Sequence, residues 1–155
     1  MTLALGRPDF WGRYLTDSVC PALSSLEIQA AHARRMGILP IFNEADCSAV
    51  QGRDRSTAYA LGALARAIKD GIPAGTAIAI DIEPAGSVCP GAARVDKAFI
   101  EGWFDVIRWA GYAPAFEPDD PGCPSRLAVW QYSITPSKPD VDVDLASSGF
   151  PFWWP

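Results

Sequence analysis

Thr76-Ala-Ile-Ala-Ile-Asp-Ile-Glu-Pro84 runs from an unbroken apolar stretch, Ala77 to Ile80, into two carboxylates, Asp81 and Glu83. A short apolar run rich in Ile, bounded by Gly75 and Pro84, fits a strand buried on both faces. Such strands belong to parallel sheets covered by helices. Side chains alternate along a strand, so Asp81 and Glu83 fall on one side, with Cβ atoms roughly 6.5–7 Å apart. Like charges at the end of a buried strand are costly unless solvent, a partner or a substrate meets them. The carboxyl ends of parallel strands are also where α/β folds build their sites. The pair therefore reads two ways: as an acid/base pair, or as strand-end acids held by backbone N–H groups or an arginine.

On either side of this stretch, strands and helices alternate. Trp11-Gly-Arg-Tyr-Leu15 reads as a short strand. Ser24 and Glu27 form a capping box. The helix they begin is expected to run to Met36, to bury Leu26, Ala30 and Ala33, and to stop at Gly37 as its C′ residue. Ile38-Leu-Pro-Ile-Phe42 is the next strand, followed by Asn43, Glu44 and Asp46, although Pro40 is unusual in a central strand. A second helix is expected from Ser56 to Asp70, with Ala58, Leu61, Ala65 and Ile68 as its apolar stripe. A third spans Ala93 to Ala110, with Val95, Phe99, Trp103 and Ile107 on one face; Trp103 and Trp109 read as core aromatics. Tyr112-Ala-Pro-Ala-Phe116 and Arg126 to Tyr132 read as further strands. Asp140-Val-Asp-Val-Asp-Leu145 alternates strictly, with three acids on one face. The order β-α-β-α-β-α-β-β-β predicts an α/β fold with a mostly parallel sheet. Three βα units are too few for a complete eight-fold barrel, which takes about 250 residues.

A chain of 155 residues supplies one domain with a sizeable core. Its 49% hydrophobic and 20% charged residues are a globular composition. The formal net charge of −5 argues against nucleic acid as a partner, since phosphate binding needs a basic surface. No apolar run approaches the roughly 20 residues of a transmembrane helix. The segment MTLALGRPDFW carries no signal-peptide pattern. Cys20, Cys47, Cys89 and Cys123 form no C-x-x-C pair, which argues against zinc. They are compatible with two disulfides, in any of three pairings, or with free buried thiols. No glycine-rich nucleotide fingerprint or calcium-loop spacing is present, so neither cofactor nor metal is expected. The lone His32 sits within the first helix, where a solvated surface position is expected and a nucleophilic triad is not.

What remains is carboxylate chemistry beside aromatic residues. Asp81 and Glu83 end the central strand, Asn43 and Glu44 end the strand before it, and Asp142 and Asp144 share a face of the last strand. Trp130 and Tyr132 stand on the strand between. Glycoside cleavage needs a protonated carboxyl group to donate to the leaving oxygen and a second charge or nucleophile on the sugar. Clustered acids raise one another's pKa, which suits the donor. Aromatic faces suit sugar rings, though Trp130 and Tyr132 read equally as core, and the terminal acids equally as a solvated edge.

Gly-Arg-Tyr-Leu at 12–15, Gly-Ile-Leu-Pro-Ile at 37–41 and Ala-Gly-Thr-Ala-Ile-Ala-Ile-Asp-Ile-Glu at 74–83 resemble the glycoside-hydrolase-like TIM-barrel family catalogued as domain of unknown function 1906. That family is related to the family 25 lysozymes, which cleave peptidoglycan glycan. Trp130-Gln-Tyr132 followed by Val141-Asp-Val-Asp-Leu145 is similar to the closing segment of both. The resemblance spans about residues 11–146 and leaves 147–155 as an aromatic tail. It implies that Glu83 is the general acid/base. It also implies that Asp81 polarises the substrate's N-acetyl group or stabilises oxocarbenium-like charge, and that Asp142 or Asp144 joins the acidic cluster. The family begins with a strand carrying an active-site Asp in a Gly-Phe-Asp context, which Asp9 does not match, and it has more strand and helix after Gly111-Tyr112. The expected frame is thus a TIM-barrel-like (β/α) fold with a shortened or incomplete barrel.

The reading is a lysozyme-like hydrolase domain whose partner is the carbohydrate of the cell wall. Asn43, Glu44, Trp130 and Tyr132 would contact substrate, and cell-wall or extracellular action is implied. The alternatives are an inactive carbohydrate-binding module, and an interaction domain whose sheet edge and Phe150-Pro-Phe-Trp-Trp-Pro155 segment dock onto another chain.

Overall fold

The computed structural model describes residues 8–17, 21–46, 48–82, 94–116, 129–135, 141–146 and 149–155; at 116, 129–135 and 141–145 it describes the backbone alone. Along them run β1 (Phe10–Tyr14), α1 (Ser25–Ala33), β2 (Gly37–Phe42), α2 (Arg53–Lys69), β3 (Ala77–Ile80), α3 (Lys97–Trp109), β4 (Ala113–Phe116), β5 (Val129–Thr135) and β6 (Val141–Ala146). The alternation expected from sequence is present. The fold is α/β, with a four-stranded parallel sheet in the order β1-β2-β3-β4 and an antiparallel pair, β5-β6. The four residues of β3 are all buried, as an apolar run with neighbours on both sides requires.

The two faces of the parallel sheet differ. Phe42, Ile78, Ile80 and Ile82 meet α2 and α3 in one core with Phe99, Trp103 and Ile107. Ile38 meets α1 through Ala31 and Ile28. The opposite, inner face carries Leu39, Ile41, Ala77, Ala79, Ala113 and Ala115, covered by Phe150, Phe152 and Ala146 of β6. Small side chains here let the aromatic tail lie close to the strands.

That tail fills a gap in the sheet. Asp81 N–H donates to the Phe42 carbonyl, so the same register would give Ala77 N–H the carbonyl of Ile38. Instead Ala77 N–H donates to the Pro151 carbonyl at 2.7 Å, and Ile38 exchanges both its bonds with Trp153, at 3.0 and 2.9 Å. Pro40 supplies the reason. It has no N–H to offer β3, so the β2–β3 ladder parts below Ile41, and residues 151–153 enter the gap. Gly37 makes room: a Cβ there would lie 2.8 Å from that of Phe152. Phe10 stacks on Phe152 at 4.4 Å. The expected interface segment thus docks onto its own chain.

Several local expectations are corrected. The Ser24–Glu27 capping box forms as predicted. Burial alone would raise the Glu27 carboxyl, but the N–H and hydroxyl of Ser24, with Arg13, hold it below its ordinary value. The helix stops at Ala33, Arg35 takes the left-handed turn at φ 55°, and Gly37 opens β2 rather than ending α1. Leu26, Ala30 and Ala33 are exposed, and Ala31 is the buried residue. On α2, Ala58, Leu61, Ala65 and Ile68 all face solvent, whereas Ser56, Ala60, Ala63, Leu64 and Ala67 are buried. The α3 stripe has the expected phase. Trp103 is core, but Trp109 is 84% exposed. His32 is half-buried rather than a solvated surface residue: its ring meets Trp153 edge-on at 5.0 Å, and its Nε2 is buried without a hydrogen-bond partner among the described residues. The cysteines lie outside the described residues.

The α2–α3 contact is close enough to demand glycine. A Cβ on Gly102 would collide with Ser56 Oγ and lie 2.8 Å from the Arg53 carbonyl oxygen. An unhindered helical Gly→Ala change stabilises by about 1 kcal/mol. Here the clash reverses the sign, and Gly102→Ala is expected to destabilise by about 1–3 kcal/mol. A urea titration that finds the variant more stable than the parent would mean the helices lie further apart than described.

Candidate functional site

Register fixes which residues share a layer of the inner face. Gly12 stands beside Leu39, and Ala77 beside Ala113; one layer up, Tyr14 stands beside Ile41, Ile41 beside Ala79, and Ala79 beside Ala115. Two residues further along each chain, Thr16, Asn43 and Asp81 follow in the same phase. They form a row across the carboxyl ends of β1, β2 and β3, on the face away from the helices. A parallel sheet places strand-end side chains of equal phase at one mouth, and ligands bind there in open α/β sheets.

The row is polar above an apolar floor. Thr16 is completely buried, while Asn43 and Asp81 are half-buried. Thr16 Oγ1 donates to Asn43 Oδ1 at 2.6 Å. The Asp81 N–H is held by Phe42, and Tyr14, Asn43 and Asp81 each carry a further interaction. The sequence pointed to Asn43 and Asp81 by their strand-end positions and missed Thr16. A threonine followed by Asp17 and Ser18 reads as a turn, and only the register shows it completing the row.

The neighbouring acids are placed elsewhere. Glu44, expected to contact substrate, alternates to the helix side and approaches Arg66 of α2 at 4.0 Å, so it does not join the row. Asp46 shapes the loop after β2. Its carboxylate accepts from the hydroxyl and N–H of Ser48, which hold it below the ordinary carboxylate range, and its own N–H donates to Tyr59. Glu83 lies outside the described residues.

On the antiparallel pair, Gln131 stands opposite Asp144, Ile134 opposite Asp142, and Trp130 opposite Leu145, with an irregularity at Tyr132. Their side chains lie outside the described part of the structure, so the row is established for Asn43 and Asp81 but not for Asp142, Asp144, Trp130 or Tyr132. Ala146 packs against the cluster of Leu39, Ala77, Ala79 and Phe150, which brings the end of β6 to the inner face.

Chemically, the described row offers a carboxylate, a primary amide and a buried hydroxyl, a set suited to orienting a polar, uncharged ligand. Among the described residues no group of three His, Cys, Asp or Glu could hold a metal ion. Nor is any described helix long and apolar enough to cross a membrane.

No protein-family model and no curated protein matches this chain. Among solved structures, an uncharacterized B. stearothermophilus protein, known from a 1.07 Å crystal structure, is similar over 91% of this chain and 85% of its own length, with a TM-score of 0.74 and 23% identity. At that identity the likeness bears on architecture alone: this α/β arrangement is shared with a protein from B. stearothermophilus.

Proposed function

We propose that the chain is a glycoside-hydrolase-like domain, built on a shortened TIM-barrel-like frame and acting on cell-wall glycan. The observation that carries this reading is the row of Thr16, Asn43 and Asp81 at the carboxyl edge of a parallel sheet, on the face away from α2 and α3. Further support comes from the Asp81-Ile-Glu83 sequence and from the resemblance to the glycoside-hydrolase-like domain of unknown function 1906 and the related family 25 lysozymes. In this reading Glu83, protonated, donates to the glycosidic oxygen as the bond from the anomeric carbon breaks. Asp81 stabilises the positive charge that develops on the sugar or orients its N-acetyl group. Water then completes the hydrolysis. Asn43 holds the sugar, with Trp130, Tyr132 and Asp142 or Asp144 as the remaining wall. The reaction needs no cofactor. Such a substrate would place the site of action at the cell wall.

A second reading, a glycan-binding module without turnover, is favoured by one observation. Among the described residues only four strands are parallel, and β5-β6 is an antiparallel pair, so the described strands do not make a closed parallel barrel.

Release of reducing ends from purified peptidoglycan between pH 4 and 8 distinguishes the two. The wild type is expected to be active with an acid-side optimum, and Glu83→Gln to lose at least about 100-fold in rate, as removal of a general acid does, while keeping its fold. Full activity in Glu83→Gln sinks the assignment. Glycan binding without product in the wild type selects the second reading.

A further inference from the structure

We infer that Thr16 is a positioning residue for the proposed site: it fixes the side-chain amide of Asn43 so that the nitrogen end is turned toward Asp81. The inference rests on the reading of the site given above. Thr16 follows β1 and is completely buried. A buried hydroxyl needs a partner, and this one donates to Asn43 Oδ1 at 2.6 Å. A primary amide carries its oxygen and nitrogen on opposite arms of one plane. Because β1 lies on one side of β2 and β3 on the other, holding the oxygen toward β1 turns Nδ2 toward β3. Asp81 occupies the next place in the row there. The mouth of the sheet thus presents an amide donor beside a carboxylate acceptor. Such a pair complements sugar groups that both donate and accept, a hydroxyl or an acetamido group. An amide turned over would set Oδ1 beside the Asp81 carboxylate, acceptor against acceptor, and the Thr16 donor at Oδ1 opposes that arrangement.

Two variants and one spectrum test this. Thr16→Val keeps the shape and removes the donor, and Thr16→Ser keeps the donor. The side-chain N–H signals of Asn43, assigned by their loss in Asn43→Ala, report the amide directly. In the wild type they are expected to be about as ordered as rigid backbone, with an order parameter near roughly 0.85. In Thr16→Val they should lose that order, and in Thr16→Ser regain it. Binding of solubilised peptidoglycan fragments should weaken about 5–10-fold in Thr16→Val and recover in Thr16→Ser. Any turnover number should change far less than KM. A mobile Asn43 amide in the wild type overturns the inference, as does one unchanged in Thr16→Val. If Thr16→Val does not fold, the wild-type and Thr16→Ser spectra decide alone. If the amide behaves as expected but the wild type neither binds nor cleaves glycan, the reading of the site falls while the positioning role stands.

Discussion

Deletion of residues 150–155 is expected to lower the melting temperature by about 10–20 °C, a loss of roughly 5 kcal/mol in a protein of this size. The segment is short, but its contacts are central. Phe150 is only 8% exposed, and a fully buried Phe contributes about 1.5–3 kcal/mol. Phe152 stacks on Phe10, and Trp153 packs against His32. Three backbone hydrogen bonds to Ile38 and Ala77 would also be lost, and strand groups left without partners cost about 1 kcal/mol or more each. The strands cannot fully zip in compensation, because Pro40 still lacks the N–H that β3 would need. Typical domains have about 5–15 kcal/mol in total, so the shortened chain should sit near its folding limit. Thermal melts followed by circular dichroism test this. A cooperative transition within about 2 °C of the intact protein would mean that the tail merely rests on the surface.

Trp103→Ala should cost about 3–5 kcal/mol, the range for removing a large buried aromatic. Trp103 has no exposed surface and sits where α3 meets the helix side of the sheet, with the Phe42 ring 6.3 Å away. Its Nε1–H also donates to the Ala115 carbonyl at 3.1 Å, tying α3 to β4. Alanine therefore opens a cavity and leaves that carbonyl short of a donor. Trp103→Phe keeps most of the volume and loses the donor, so it should fall between the two. In urea the midpoint for Trp103→Ala is expected to drop by about 2 M, taking a slope of roughly 2 kcal/mol per molar. Equal midpoints for Phe and Ala would assign the whole effect to the hydrogen bond and none to packing.

The element order was legible because its signals are local: an apolar run for β3, a capping box for α1, an aromatic stripe for α3. The buried faces of α1 and α2 were not. Hydrophobic patterning favours the largest apolar residues, so Leu61 and Ile68 looked like core. In the molecule α2 buries Ser56, Ala60, Ala63 and Ala67 with Leu64 beside them, α3 comes close enough at Gly102 to touch Ser56, and Leu61 and Ile68 turn to solvent. Trp109 misled for the same reason. The tail was legible as a docking segment, but its target depended on a missing N–H at Pro40, with four strands between them in sequence. At the site, Asn43 and Asp81 could be found from strand ends. Glu44 could not be excluded without knowing that its phase leads to Arg66, and Thr16 needed the register.

The wedge between β2 and β3 also orders events during synthesis. Both strands leave the ribosome long before residues 151–153, so Ile38 and Ala77 are made well before the segment they pair with in the folded chain. Closure depends on contacts distant in sequence, such as Ile38 with Trp153, which slow folding relative to local helix pairing. Until that late segment arrives, Ile38 and Ala77 expose strand groups of the kind that pair with other chains. Domains generally fold as units during translation, the earlier part first; this one keeps an opening near its oldest strands that only a late stretch can fill.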